Sequence, residues 1–370
     1  MKAAIITIID PVNIGNRLQN YAVQELLKAH GCQADTLIFE YHDEEGNLSY
    51  RIKSFLQSLL IKTQFYNSFF FLGRVKKSPK MVLTEKFNRK YIHFNRKFYY
   101  ETPKMSKHYR HFDYYCVGSD QIWNPIRVQT NDFYFLKFAP SERTFSMAVS
   151  MGISSIPDKY QENFREGFEH VGHLSVRENS ARDLIREMTG RDATVLLDPT
   201  LLLDSGKWHD IATKPAFDLP DRYLATYFLS DTTDAQKALI QEYAKKNDLA
   251  IIDINQTYAS QIGPLEFLYV IEHAQFLFTD SFHGTAFSLI FGKDFLVFQR
   301  NKMYDMSSRI TTILQTFQLE NRFYSGDNHQ LDSTIHQRIV EIKNQDTQHV
   351  KVILEEQRQI AHNFLKNVFA

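Results

Sequence analysis

The sequence predicts an α/β fold built from two doubly wound, Rossmann-like domains, on three observations. Apolar runs rich in β-branched residues alternate with stretches of helical period, the pattern of a parallel sheet covered on both faces. That alternation halts after Trp208 and resumes beyond residue 220, as it does where one sheet ends and a second begins. Finally, 370 residues exceed what a single core usually fills, so two domains of roughly 150 to 200 residues are the natural division.

Taken in order, a first strand is expected over residues 3–9 and a helix over 18–30, the latter with apolar residues at helical spacing before Gly31, a helix stop. Strands follow at 34–39, 114–117, 144–149, 174–176 and 194–197, with helices near 159–170 and 180–188. After the break come strand 223–229, helix 234–246, strand 249–254, helix 264–273, strand 276–279, helix 285–291 and strand 295–298. The tail reads as helix packing back on one domain or both, through a stripe of Val350, Ile353, Leu354, Ala361, Phe364, Leu365 and Val368. The expected boundaries are 1–208 for the first domain, 209–335 for the second and 336–370 for the helical tail.

A basic helical insertion is expected in the first domain at about residues 50–110. Residues 51–100 hold twelve Lys or Arg against Glu85 alone, in a chain of net charge +0. Interleaved with Phe69, Phe70, Phe71, Tyr99 and Tyr100, that charge suits an anionic membrane face or a lipid-linked, phosphate-bearing acceptor. A helical face that is simply basic and solvated explains it as readily. No recognised nucleic-acid module accompanies it, and the neutral balance of the chain argues against a nucleic-acid partner.

Aromatic residues make up 14% of the chain, enough to line pockets with rings. Cys32 and Cys116 stand far apart without metal-ligand spacing, which excludes a disulfide framework and favours a reducing compartment. The opening MKAAIITIIDP is too short and too soon acidic for a signal peptide, and no run of about 18 uncharged apolar residues follows. The expectation is a cytoplasmic protein, with peripheral contact at the inner membrane face if the basic segment mediates it. No HExxH-like spacing occurs, so neither a metal nor a cofactor is expected.

Candidate site residues gather where strands end, because ligands of open α/β sheets bind beyond the carboxyl ends of the strands. In FLFTDSFHGTAFS, residues 276–288, an apolar run delivers Ser281, His283, Gly284 and Thr285 at the start of a helix. Helix N-termini favour anions, glycine allows close approach, and imidazole exchanges protons near neutrality. VGSDQIWNP places Ser119, Asp120, Gln121 and Trp123 after another strand, where an aromatic face stacks on a sugar ring; a capped turn over a buried tryptophan is the plainer reading. In LSVREN, Arg177 can fork onto phosphate or carboxylate and Glu178 can accept a proton, or the two can pair. Asp198, in LLDPT, is a base candidate or a helix cap. Asn16 lies in the first βα turn, NIGNRLQ, which is not GxGxxG and so gives weak support for a dinucleotide.

Six stretches in order, NIGNRLQNYAVQELLKAHG, VGSDQIWNP, LSVREN, LLDPTLLL, GPLEFLYVIEHA and TDSFHGTAFSLIFGKDF, resemble the polysaccharide pyruvyl transferase family over most of the chain. The resemblance implies two domains facing a cleft, as in B-type glycosyltransferases. It implies transfer of the enolpyruvyl unit of phosphoenolpyruvate to two sugar hydroxyls, forming a cyclic pyruvate ketal, with phosphoenolpyruvate as donor and a sugar or glycan, free or lipid-linked, as acceptor. By that reading His283 protonates the methylene carbon, and Asp120, Glu178 or Asp198 accepts the hydroxyl protons. The donor side is Arg177, Ser281, Gly284 and Thr285; the acceptor side is Asn16, Ser119, Gln121 and Trp123. Where well-studied members have an arginine two residues before the motif histidine, this chain has Ser281, and Arg300, Lys302 or Arg309 is expected to supply the missing cation. A nucleotide-sugar glycosyltransferase and a glycan-binding protein without turnover are the alternative readings.

Overall fold

The computed structural model describes residues 1–39, 78–99, 111–125, 132–153, 155–300 and 308–370. The chain divides into two compact units: Met1–Met151 with Ser155–Val176 and Arg182–Thr194, and Val195–Ala370 with Gly152–Ser154 and Arg177–Ala181. The expected boundary at residue 208 falls inside the second unit.

In the first unit, β1 (Lys2–Ile6), β2 (Gln33–Phe39), β3 (Phe94–Tyr99), β4 (Tyr114–Val117) and β5 (Thr144–Ser146) form one parallel sheet in the order β3-β2-β1-β4-β5. β1 is central, and its Ala3, Ala4, Ile5 and Ile6 are completely buried, as a strand covered on both faces requires. It stops three residues earlier than its apolar run, because Thr7 turns its hydroxyl to the Ser119 carbonyl at 2.9 Å. Asn13 caps helix Ile14–Ala29 by accepting from the Asn16 N–H, so this helix starts earlier than its apolar spacing suggests. Gly31, at φ +73, ends it as expected. The segment expected to be a helical insertion contains helix Pro79–Tyr91 but then β3, which joins the sheet beside β2. Residues 40–77 and 100–110, with most of the basic stretch, lie outside the described residues.

In the second unit, β8 (Tyr223–Tyr227), β9 (Ala250–Asp253), β10 (Leu277–Thr279), β11 (Phe295–Phe298) and β12 (Phe323–Tyr324) form a second parallel sheet, ordered β12-β11-β10-β8-β9. The strands numbered between the two sheets, β6 (Ser175–Val176) and β7 (Thr194–Val195), make a small pair of their own. Thr233 and Gln236 form a capping box on helix Asp234–Asn247, which left-handed Asp248 terminates. The tail forms two helices, Ile335–Asn344 and Gln348–Val368. Ile335, Ile339 and Ile342 enter the core with Phe276 and Phe298. The expected stripe of the last helix is buried except Ile353, which lies half-buried at its edge. Arg358 fastens this helix to the Leu203 carbonyl at 2.8 Å, and among the described residues no helix is long and apolar enough to cross a membrane.

Each sheet reverses its strand order once, between β1 and β4 in one unit and between β8 and β10 in the other. Such reversals open a crevice at the carboxyl ends of the two strands, because their following connections diverge to opposite faces.

Candidate active site

At the crevice of the second unit, Asp280 ends β10 and accepts from the Leu229 N–H at 2.7 Å, the Ser230 N–H at 3.0 Å and the Ser230 hydroxyl. It thereby ties the loop after β8 to the loop after β10. Ser281 caps helix Phe282–Ile290, so this helix begins three residues before its expected start and carries His283 and Gly284 in its first turn. The glycine is required by packing: a Cβ there would lie 2.5 Å from Thr279 Oγ1. Gly284 therefore sets the helix against β10 instead of admitting a donor. Two other expected donor contacts are internal as well. The Ser281 hydroxyl accepts from the Gly284 N–H at 3.4 Å, and the Thr285 hydroxyl donates to the Ser281 carbonyl at 3.1 Å.

His283 Nε2 lies 3.8 Å from Asp198 Oδ2, and the same oxygen lies 2.7 Å from Arg177 Nη2. The Arg177 and Asp198 side chains are only 3% and 0% exposed, which makes this a buried ion pair that fixes both groups. Asp198 also fulfils its alternative reading as a cap, since Oδ1 accepts from the Thr200 N–H at 2.9 Å and the Thr200 hydroxyl at 2.7 Å. Burial alone would raise the pKa of Asp198, but Arg177, His283 and Thr200 outweigh it and hold the carboxyl below its ordinary range. The resulting anion sits where positive charge on the imidazole can be matched.

Phe282 links a second cation to this group. The Arg177 and Arg309 guanidinium carbons lie 5.4 and 5.5 Å from its ring centroid, within cation–π range. Both arginines line a small cavity with Asp198, Phe282, Leu197 and Leu201. Arg309 thus joins the cluster around the motif histidine. Arg300 is held apart from it, donating from Nε to the Asp280 carbonyl at 2.9 Å with the Asp280 carboxylate 3.4 Å away. Lys302 lies outside the described residues. Glu178 is buried at 1% exposure.

The crevice of the first unit is a polar network between β1 and β4. Asn16 donates to Asp120 Oδ2 at 2.5 Å, while its own Oδ1 accepts from the Asp10 N–H and from the Arg17 guanidinium. Arg17 is completely buried, braces the Ile8 carbonyl at 2.7 Å, and has its pKa lowered to about 10, chiefly by burial, with Asp120 and Asp10 opposing. Asp120 is half-buried at φ 91, and its Oδ1 accepts from the Gln121 N–H at 2.7 Å. Both polar ends of the buried Gln121 amide, and Arg17 Nη1, have no partner among the described residues.

Two expected acceptor contacts are corrected here. Trp123 is fully buried, donates to the Tyr134 carbonyl at 3.1 Å, and stacks on Phe135 with its edge contact to Phe168, so no ring face is left for a sugar. Ser119 is buried and donates to the Ala148 carbonyl at 2.8 Å. Asn16 positions Asp120 from within the network. Sequence reading missed Arg17, Phe282 and the joining role of Asp198. Arg17 stands in the quoted NIGNRLQ turn, but helical period gives no sign that an arginine is buried. Among the described residues no group of three or more His, Cys, Asp or Glu side chains is placed to hold a metal ion.

A family model for polysaccharide pyruvyl transferase matches residues 13–301. No curated protein sequence matches the chain. Among solved structures, it is similar to a glycotransferase of kitacinnamycin, at 11% identity and a TM-score of 0.45 over 98% of this chain and 95% of that one. It is also similar to a UDP-GlcNAc 2-epimerase from Neisseria meningitidis bound to UDP-GlcNAc, at 11% identity and a TM-score of 0.42 over 94% and 100% of the two chains. A ugt transferase from Siraitia grosvenorii in complex with UDP gives 12% identity and a TM-score of 0.41 over the full length of both.

Proposed function

Because this chain belongs to the polysaccharide pyruvyl transferase family, and is thus a transferase, we propose that it moves the enolpyruvyl unit of phosphoenolpyruvate onto two hydroxyls of a sugar in a polysaccharide or its precursor, closing a pyruvate ketal. The observation that carries this reading is the His283–Asp198–Arg177 arrangement with Arg309 beside it. A donor bearing a phosphate and a carboxylate needs fixed cations, and its methylene carbon needs an acid.

In this mechanism His283 gives its proton to the methylene carbon, and Asp198 balances the imidazolium before transfer. The central carbon becomes an oxocarbenium-like electrophile and one sugar hydroxyl adds to it. Phosphate leaves with the bonding pair of its C–O bond, and the second hydroxyl closes the ring. Arg177 is held rigid by Asp198, and Arg309 stands where a second guanidinium can meet the donor's anionic groups. Arg309 is accordingly our choice for the cation that Ser281 does not supply.

The test is phosphate release from phosphoenolpyruvate in the presence of methyl hexopyranosides, compared for the wild type and His283→Gln. Turnover should fall by roughly 100- to 10,000-fold in a variant that melts like the wild type. A His283→Gln enzyme with near wild-type kcat would refute the assignment of the acid, and release of nucleotide from a nucleotide sugar by the wild type would refute the donor.

A further inference from the structure

Pyruvyl transfer needs a group that takes the proton from each attacking hydroxyl, and three carboxylates compete for that part. Asp198 is committed on both oxygens, to Thr200 and to Arg177, and Glu178 is 1% exposed. Asp120 differs in placement, in backbone and in surroundings. It lies at the strand-order reversal of the first unit, directly beyond β4, and it is half-buried. Its φ of 91 is a conformation that a non-glycine residue keeps only where its surroundings over-determine it. Here the Ser150 N–H holds the Asp120 carbonyl at 2.9 Å, while Asn16 and the Gln121 N–H each hold one carboxylate oxygen. A carboxylate oxygen accepts more than one hydrogen bond, so each retains a site for an incoming O–H.

The neighbouring residue supplies the second observation. The Gln121 amide is buried with neither its donor nor its acceptor partnered among the described residues, and Arg17 Nη1 is in the same condition. Buried polar groups normally find partners, so a pair of such orphans beside an aimed carboxylate marks a place where a hydroxylated ligand completes the network. The charges there are also balanced: Arg17 and Lys80 feel the attraction of Asp10, and Arg17 that of Asp120.

We infer that Asp120 is the base of the reaction, accepting the acceptor's hydroxyl proton as that oxygen bonds to the central carbon of the donor, while the Gln121 amide holds the adjoining hydroxyl. This rests on the pyruvyl-transfer reading. The proton balance closes: two protons leave the two hydroxyls, one is gained by the methylene carbon by way of His283, and one departs on the phosphate. Asp120 holds each hydroxyl proton only in transit.

The experiment uses the full chain with phosphoenolpyruvate and methyl hexopyranosides, following phosphate release by the wild type, Asp120→Asn, Asp120→Gly and Glu178→Gln. Asn keeps the shape and tolerates positive φ; Gly suits that φ and leaves room for a small carboxylate. We expect kcat to fall by roughly 100- to 10,000-fold in both Asp120 variants, with the KM for phosphoenolpyruvate little changed. Added formate should restore turnover to Asp120→Gly but not to Asp120→Asn, and Glu178→Gln should lose far less. An active Asp120→Asn enzyme, a glycine variant that formate does not rescue, or failure of both variants to fold by circular dichroism would each make Asp120 structural and overturn the inference. A wild type without any turnover would refute pyruvyl transfer itself, and the inference would fall with it.

Discussion

Replacing Asp198 by Asn removes one charge from a fully buried pair while keeping the shape of the side chain. The asparagine oxygen can still accept from the Thr200 N–H, so the cap on helix Pro199–Leu202 survives and the loss isolates the ion pair. At 2.7 Å the Arg177–Asp198 attraction is about 6 kcal/mol for an effective dielectric of about 20. Losing one partner of such a pair typically costs about 3 to 5 kcal/mol, because the other charge stays buried without compensation. For a domain of this size that lowers Tm by about 6 to 20 °C. The assay is thermal and urea denaturation of both proteins. Adding Arg177→Met to Asp198→Asn should recover part of the loss, since the stranded charge is then gone. The folded-state pKa of Asp198 lies below its ordinary value of 3.8, so the unfolded chain binds its proton more readily. The stabilisation is therefore present above about pH 4 and disappears as the pH falls through the folded pKa, where the two proteins should converge. A neutral-pH Tm within about 2 °C of wild type, or a gap that widens in acid, would refute the reasoning.

Two further outcomes follow from the same crevice. Gly284→Ala should destabilise by about 1 to 3 kcal/mol in urea melts, because its new methyl group would stand 2.5 Å from Thr279 Oγ1; an unchanged midpoint would show that helix and strand part freely. Arg309→Ala should weaken phosphoenolpyruvate binding by about 1.5 to 3 kcal/mol in calorimetry, and Arg300→Ala by much less, because Arg300 is already engaged by Asp280. Equal losses, or none at Arg309, would remove Arg309 from the donor site.

Strand cores were the most legible part of the fold. β4, β11 and helix Pro264–His273 fall on their expected residues because a run of buried apolar side chains has few other places to go. Ends were harder to read, since they are set by single hydrogen bonds: Thr7 cuts β1 short, and Ser281 starts its helix early. β3 was hidden because charged residues alternate through FNRKFY, and its neighbour β2 was the information needed to see a strand there. At the site, His283, Arg177 and Asp120 could be marked from their place after strands. The difference between Asn16, which positions, and Gln121, which is left unpartnered, depends on contacts more than 100 residues away in sequence, such as Asn16 with Asp120. Trp123 shows the opposite error, since a tryptophan after a strand looks the same in sequence whether it faces a ligand or the core.

Ser281 also has a bearing on how this chain can change over generations. Its hydroxyl holds the first turn of the helix that bears His283, and the residue is 2% exposed. An arginine introduced there, as in the well-studied family members, would remove a cap worth about 1 kcal/mol and would have to thread a long charged side chain out of a closed position. Meanwhile Arg309 already stands beside Arg177. The ancestral-looking residue is thus reached from here only through a less stable intermediate with a redundant cation. Lineages carrying this serine are expected to keep it and to vary the partner arginine late, if at all.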